Sequence, residues 1–343
     1  MRRDARQNIT VNVENIQGYH EGGYGESYAY SGFGENLYFN SDRAERTHVE
    51  NGVLVRESGK PLQAWCPEVE IECNSISRSR VLMEVLKKVV FPNFKFGDKM
   101  FKVQHDGSLG GESSGEIIPQ PMTMGRIRND YAAYKAMWEY FDALGIETDN
   151  YNTDCGMHIN ISNACFGKTE AEILDNVRKL YYFINEHYTF CRKLFYRSEY
   201  KTEWCRRMTA ETWRNRIPWG CHATPEEFDY HNAKSLDISK LPNDHGLCLN
   251  YSHFKAGRIE IRLPGGQRDY YCFRNTMESA FFLVEKLRKT RWEELDDLVK
   301  FFRGCNQYVC KRLIDCVDTV FTREMYEDIL RHSKQADFEL HRR

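Results

Sequence analysis

PEVEIECN, residues 67–74, is the stretch on which the reading of this chain turns. Val69, Ile71 and Cys73 alternate with Glu70 and Glu72, the period of two expected of a β-strand. Both carboxylates therefore project from one face of one strand, and bare acids this close repel each other. A hard cation relieves the repulsion, because Mg²⁺ takes oxygen ligands and keeps waters and substrate phosphates for its other positions. An ordinary solvated strand face has the same pattern, so the neighbouring segments must decide.

Working outward, the pattern recurs. KMFKVQHDGSL (99–109) is predicted as a strand ending in an Asp-Gly turn, and SSGEIIPQP (113–121) as a second strand terminated by Pro119. Glu116 sits on that second strand, close in sequence to Asp106, Ser108 and Glu112. CGMHINIS (155–162) alternates strictly, with His158 and Asn160 on one face and Met157, Ile159 and Ile161 on the other. CLNYSHFKAGRIEIRLP (248–264) reads as a hairpin turning near 255–257, with Glu260 and Arg262 again sharing a face. An acid beside a guanidinium suits a cation next to a phosphate: the Glu holds the metal while the Arg forks onto the oxygens.

Between the strands lie amphipathic stretches. Helices are expected over 77–90, over 129–144 with Gly145 as the C-terminal stop, and over 169–195 with Ile173, Val177, Leu180, Phe183 and Ile184 inward. From residue 270 onward the pattern is helix after helix, through AFFLVEKL, LDDLVKFF and YVCKRLIDCV. Strands interleaved with helices and hairpins, without regular βαβ spacing, predict an α+β fold with an antiparallel sheet and helices to one side.

The first 58 residues differ. GYHEGGYGESYAYSGFGEN (18–36) has neither helical nor strand periodicity and is expected to be an irregular arm. Two readings of it stay open, a solvated tail or an arm whose aromatics contact a protein partner. ENLYFNS (35–41) resembles the tobacco etch virus protease recognition site with Asn40 in place of its Gln, a likeness read as incidental. The expected organisation is therefore an arm over 1–58, a catalytic domain over 59–300 and a helical extension over 301–343.

Bulk composition narrows the function. A net charge of −2 offers no basic field for nucleic acid or a membrane surface. Mean hydropathy of −0.66, with no run of ~18 apolar residues, predicts no transmembrane helix. MRRDARQNIT lacks the apolar core of a secretory signal, so the expected location is the cytoplasm. The 12 cysteines contain no C-x-x-C pair, which argues against structural zinc and for reduced, mostly buried thiols.

In this order the motifs resemble the amidoligases, a group within the glutamine-synthetase superfamily of carboxylate–amine ligases. VEIE (69–72) looks like that group's opening Val-Glu-x-Glu strand. DGSL (106–109) and GEIIPQP (115–121) look like its Asp-Gly-Ser turn and Glu-bearing strand. CGMHINIS is similar to Cys-Gly-x-His-x-His, with Asn160 at the second His, and LNYSHFKAGRIEIRLPGG (249–266) to the closing hairpin. Glu68 stands where a Gly commonly precedes the first motif.

The resemblance spans about 65–270 and implies a curved antiparallel sheet forming a catalytic funnel. It implies ATP as co-substrate and Mg²⁺ or Mn²⁺ as cofactor, with Glu70, Glu72, Glu116, His158 and Glu260 as metal ligands. Arg262, Glu116 and Glu260 would carry catalysis, Arg262 touching the transferred phosphoryl group. Asn160 and Ser108 would face the nucleotide, and Arg197, Arg214 and Arg216 lie in the stretch from which further phosphate contacts would come. The implied reaction phosphorylates a small-molecule or peptide carboxylate and passes the acyl group to an amine. A phosphotransferase on the same architecture and a non-catalytic binding descendant are the alternatives.

Overall fold

A computed structural model of the protein describes residues 35–74, 79–104, 109, 113–149, 153–218, 221–242 and 244–303. Most of the Gly/Tyr-rich arm, Asp106, Ser108, Glu112 and the stretch 304–343 lie outside the described residues. The architecture is α+β, and the paired strands described below run antiparallel. The strands are β1 (Leu37–Phe39), β2 (Ala44–Glu50), β3 (Val53–Arg56), β4 (Trp65–Cys73) and β5 (Phe101–Gln104). They continue with β6 (Ser113–Pro119), β7 (Ile146–Glu147), β8 (Met157–Ser162), β9 (Leu249–Asn250) and β10 (Arg258–Ile261). Four longer helices matter here: α1 (Tyr131–Leu144), α2 (Glu170–Glu186), α3 (Tyr270–Leu287) and α4 (Leu295–Arg303). No described helix is long and apolar enough to cross a membrane.

The described chain falls into two compact units. The first takes in 35–48, 64–157 and 266–270; the second takes in 49–63, 158–265 and the described residues from 271 on.

In the first unit β4 pairs with β6, and β6 with β5, so Glu70 lies opposite Glu116 and Glu116 opposite Gln104. The far end of β4 pairs with β7, placing Glu72 against Glu147. Val69, Ile71 and Cys73 form the apolar side of β4, each buried. Helix α1 closes on Gly145 in the left-handed region at φ 65°, where a residue without Cβ is not strained. Leu37–Phe39, read as part of an irregular arm, is a buried strand. Its ladder to β2 is supplemented by Phe39 N–H donating to the Pro121 carbonyl and Leu37 N–H to Gln120 Oε1. Those partners are more than 80 residues away, so the local pattern carried no sign of them.

Gly97 sits where a Cβ would lie 1.8 Å from the Phe91 carbonyl oxygen. Gly97→Ala is therefore expected to destabilise the chain by roughly 1–3 kcal/mol or more in urea unfolding. A change under about 0.5 kcal/mol would contradict this packing.

In the second unit β8, β10 and β9 form an antiparallel ladder, with Glu260 opposite both Asn160 and Asn250. Helix α2 begins with a capping box between Thr169 and Glu172. The expected single helix over 169–195 instead breaks at His187 and resumes as Tyr188–Leu194. Just before the break the Asn185 carbonyl accepts from Arg207 Nε at 2.5 Å, and the Asn185 side chain accepts from Met208 N–H at 2.6 Å. The predicted 129–144 helix likewise begins earlier, as Met124–Asn129, and bends at Asp130.

Candidate functional site

Strand alternation places Glu68, Glu70 and Glu72 on the same side of β4, with Glu116 projecting from β6 to that side. This face is not solvated. Glu70 and Glu72 are buried at 6% and 7% exposure, and Glu68 and Glu116 are half-buried. Acids withdrawn from water need compensation, and Glu70 has part of it: its carboxylate accepts the Gly156 backbone N–H, while its own N–H donates to the Gly156 carbonyl at 3.2 Å. Glu68 and Glu116 present carboxylate oxygens within 4.8 Å of each other. Glu68 was not among the expected ligands, although the same alternation that singled out Glu70 and Glu72 includes it.

Cys155 lies beside these acids. Burial pushes its thiol well above the ordinary range, the Thr153 hydrogen bond pulls the other way, and the nearby Glu70 and Glu72 charges push further up. The side chains that β4 and β6 place on this face carry carboxylate oxygens. Oxygen donors suit Mg²⁺ or Ca²⁺ rather than the softer transition metals. No disulfide joins the nine described cysteines.

The second unit holds a differently charged group. Glu260 Oε1 accepts from Arg262 Nη1 at 2.8 Å and lies 3.4 Å from His158 Nδ1; Glu260 Oε2 accepts from Asn250 Nδ2 at 2.9 Å. Arg262 also donates from Nε to the His245 carbonyl at 2.7 Å. All four side chains are buried. Burial pushes the Glu260 carboxyl up, but Arg262, His158 and Asn250 outweigh it and hold it down to about 2. It is therefore an anion at any physiological pH, with lone pairs left beyond those its present donors use.

Asn160 Oδ1 accepts from Arg258 Nε at 2.9 Å, so its carbonyl end is committed to a guanidinium on β10. His253 is half-buried nearby; burial and the Arg258 charge push its ring down, so it is neutral at pH 7. Positive and neutral donors thus outnumber the one carboxylate in this group.

The remaining expected residues fall elsewhere. Arg214 is exposed and pairs with Glu226 at 3.2 Å, a surface ion pair worth little, and Arg216 is exposed as well. Arg197 is buried with its guanidinium on backbone carbonyls. Ser108 lies outside the described residues. Comparison with known proteins finds no family model that matches this chain and no curated protein that matches it.

Proposed function

We propose that this protein is an ATP-dependent carboxylate–amine ligase of the amidoligase kind, built on a glutamine-synthetase-like sheet. The observation that carries the reading is the buried group of Glu260, Arg262 and His158, a carboxylate held ionised between a guanidinium and an imidazole. A buried, prepaid arrangement of this sort stabilises charge on phosphoryl oxygens in a way that a solvated ion pair does not. The acidic face of the first unit supports the second half of the reading, because its carboxylate oxygens fit Mg²⁺.

Glu70, Glu72 and Glu116 are the proposed holders of the metal in the first unit, joined by Glu68; His158 and Glu260 are the proposed ligands in the second. When bound, the metal would neutralise phosphate charge and align the leaving group. Glu116, half-buried, lies across the ladder from Glu70 and is suited to keep that carboxylate's charge directed at a cation. Arg262 offers its guanidinium to the transferred phosphoryl oxygens, and Asn250 keeps Glu260 oriented towards it. In the reaction, an oxygen of the substrate carboxylate attacks the γ-phosphorus and the bond to the bridging oxygen breaks, releasing ADP. The amine nitrogen then adds to the acyl carbon, phosphate departs with the C–O bonding pair, and the nitrogen loses a proton.

The test uses hydroxylamine as a general amine. With ATP, Mg²⁺ and a panel of carboxylic acids and acidic peptides, at least one acid is expected to yield a hydroxamate and ADP in equal amounts. A phosphorylated product without hydroxamate would replace the ligase with a phosphotransferase, and no ATP consumption with any acid would leave a binding module.

A further inference from the structure

Arg197 is buried at 6% exposure, and its partners are backbone oxygens rather than acids. Nη2 donates to the Arg262 carbonyl at 3.1 Å and the Pro264 carbonyl at 2.7 Å, Nε to the Leu263 carbonyl at 3.1 Å, and Nη1 to the Lys201 carbonyl at 3.4 Å. Strand β10 ends at Ile261; the Arg262 N–H still donates to the Cys248 carbonyl at 2.9 Å, and the segment then runs on through Leu263 to Pro264. Pro264 has no N–H to donate, and a segment short of donors is best held through its acceptors. A planar guanidinium fork matches that need.

The residue before it is the unusual one. Tyr196 has φ 57°, the left-handed region that glycine fills at most helix ends. Its N–H donates to the Lys193 carbonyl and the Arg197 N–H to the Arg192 carbonyl, closing the preceding helix, while Phe195 offers its carbonyl to Gly265 N–H at 3.0 Å. The Tyr196 hydroxyl accepts from Asn275 Nδ2 at 3.1 Å on α3. A tyrosine in this strained conformation, with its backbone closing the helix and its hydroxyl bonded to α3, signals that the direction of this turn matters.

We infer that Tyr196 and Arg197 form a clasp in which Arg197 is a positioning residue for Arg262, fixing the backbone from which the Arg262 guanidinium reaches Glu260 and His158. Arg197 is thus removed from the set of direct phosphate contacts. The functional weight of the clasp rests on the proposed role of Arg262, but its geometry does not.

The experiment reads Arg262 directly. Its Nε–H, buried and bonded to the His245 carbonyl, is expected to give a slowly exchanging signal in ¹⁵N–¹H NMR, to be assigned by its loss in Arg262→Lys. In Arg197→Lys, hydrogen exchange at that site is expected to accelerate about tenfold, the effect of weakening one net hydrogen bond, while amides of α2 exchange at the unaltered rate. Tyr196→Phe, which removes only the hydroxyl, is expected to give a smaller acceleration and serves if Arg197→Lys does not fold. Unchanged exchange in the folded variants would overturn the clasp. Absence of Mg²⁺–ATP binding by the unaltered chain would instead sink the ligase reading and leave the exchange result standing.

Discussion

Glu260→Ala is expected to cost the folded chain roughly 3–5 kcal/mol, because it strands the Arg262 guanidinium in a buried site without its counter-charge. Arg262 cannot shed its proton, so most of that cost stays at any pH. The same substitution is expected to abolish Mg²⁺-dependent nucleotide binding. Its pH dependence has a definite sign. The Glu260 carboxyl is held down to about 2 from an ordinary value of 4.5, so it contributes stability above 4.5 and loses it as pH falls towards 2. The stability gap between the parent chain and Glu260→Ala should therefore narrow through that acid window in urea titrations. A gap that is independent of pH there would mean that Glu260 is not ionised by these neighbours.

The second large effect belongs to the first unit. Arg126 and Asp130 form a buried ion pair, with Arg126 Nε 2.7 Å from Asp130 Oδ2 and a further bond from Nη2 to Oδ1. Arg126 Nη1 also donates to the Ser41 carbonyl at 3.0 Å, tying the β1–β2 turn to the start of the helices. Asp130→Ala is expected to destabilise by about 3–5 kcal/mol, since the guanidinium remains buried with the Ser41 carbonyl and the Phe96 ring but no counter-charge. Here the pH sign is opposite. Burial raises the Asp130 carboxyl above its ordinary 3.8, and Arg126 and Lys95 only partly pull it back. The fold thus favours its protonated form, and this group's contribution is fully present below 3.8 and declines as pH rises to the raised value. Denaturant unfolding of Asp130→Ala within about 0.5 kcal/mol of the parent would contradict the ion pair's role.

Period-two alternation alone located β4, β6, β8 and β10, and the shared side of Glu70 with Glu72 and of Glu260 with Arg262 was legible from it. Alternation says which side a residue faces, not whether that side is covered, so the burial of both acidic strands had to come from the structure. Glu68 had the right parity and was passed over as a ligand, because the amidoligase pattern has a glycine there. The strand at Leu37–Phe39 is bonded to 120–123, and the bonds that meet Asn185 at the helix break come from Arg207 and Met208, partners whose distance in sequence hides them from any local window. Arg197 could not be told from Arg214 and Arg216 by composition: one is buried on carbonyls and the others are exposed.

Isothermal titration of the unaltered chain with a non-hydrolysable ATP analogue, with Mg²⁺ and then with EDTA, probes the nucleotide site without requiring knowledge of the acid or amine. Saturable binding with Mg²⁺ that disappears in EDTA, and that Glu260→Ala lacks, is the expected outcome. Equal binding with and without the metal, or none in either, would contradict a magnesium–nucleotide site on these strands.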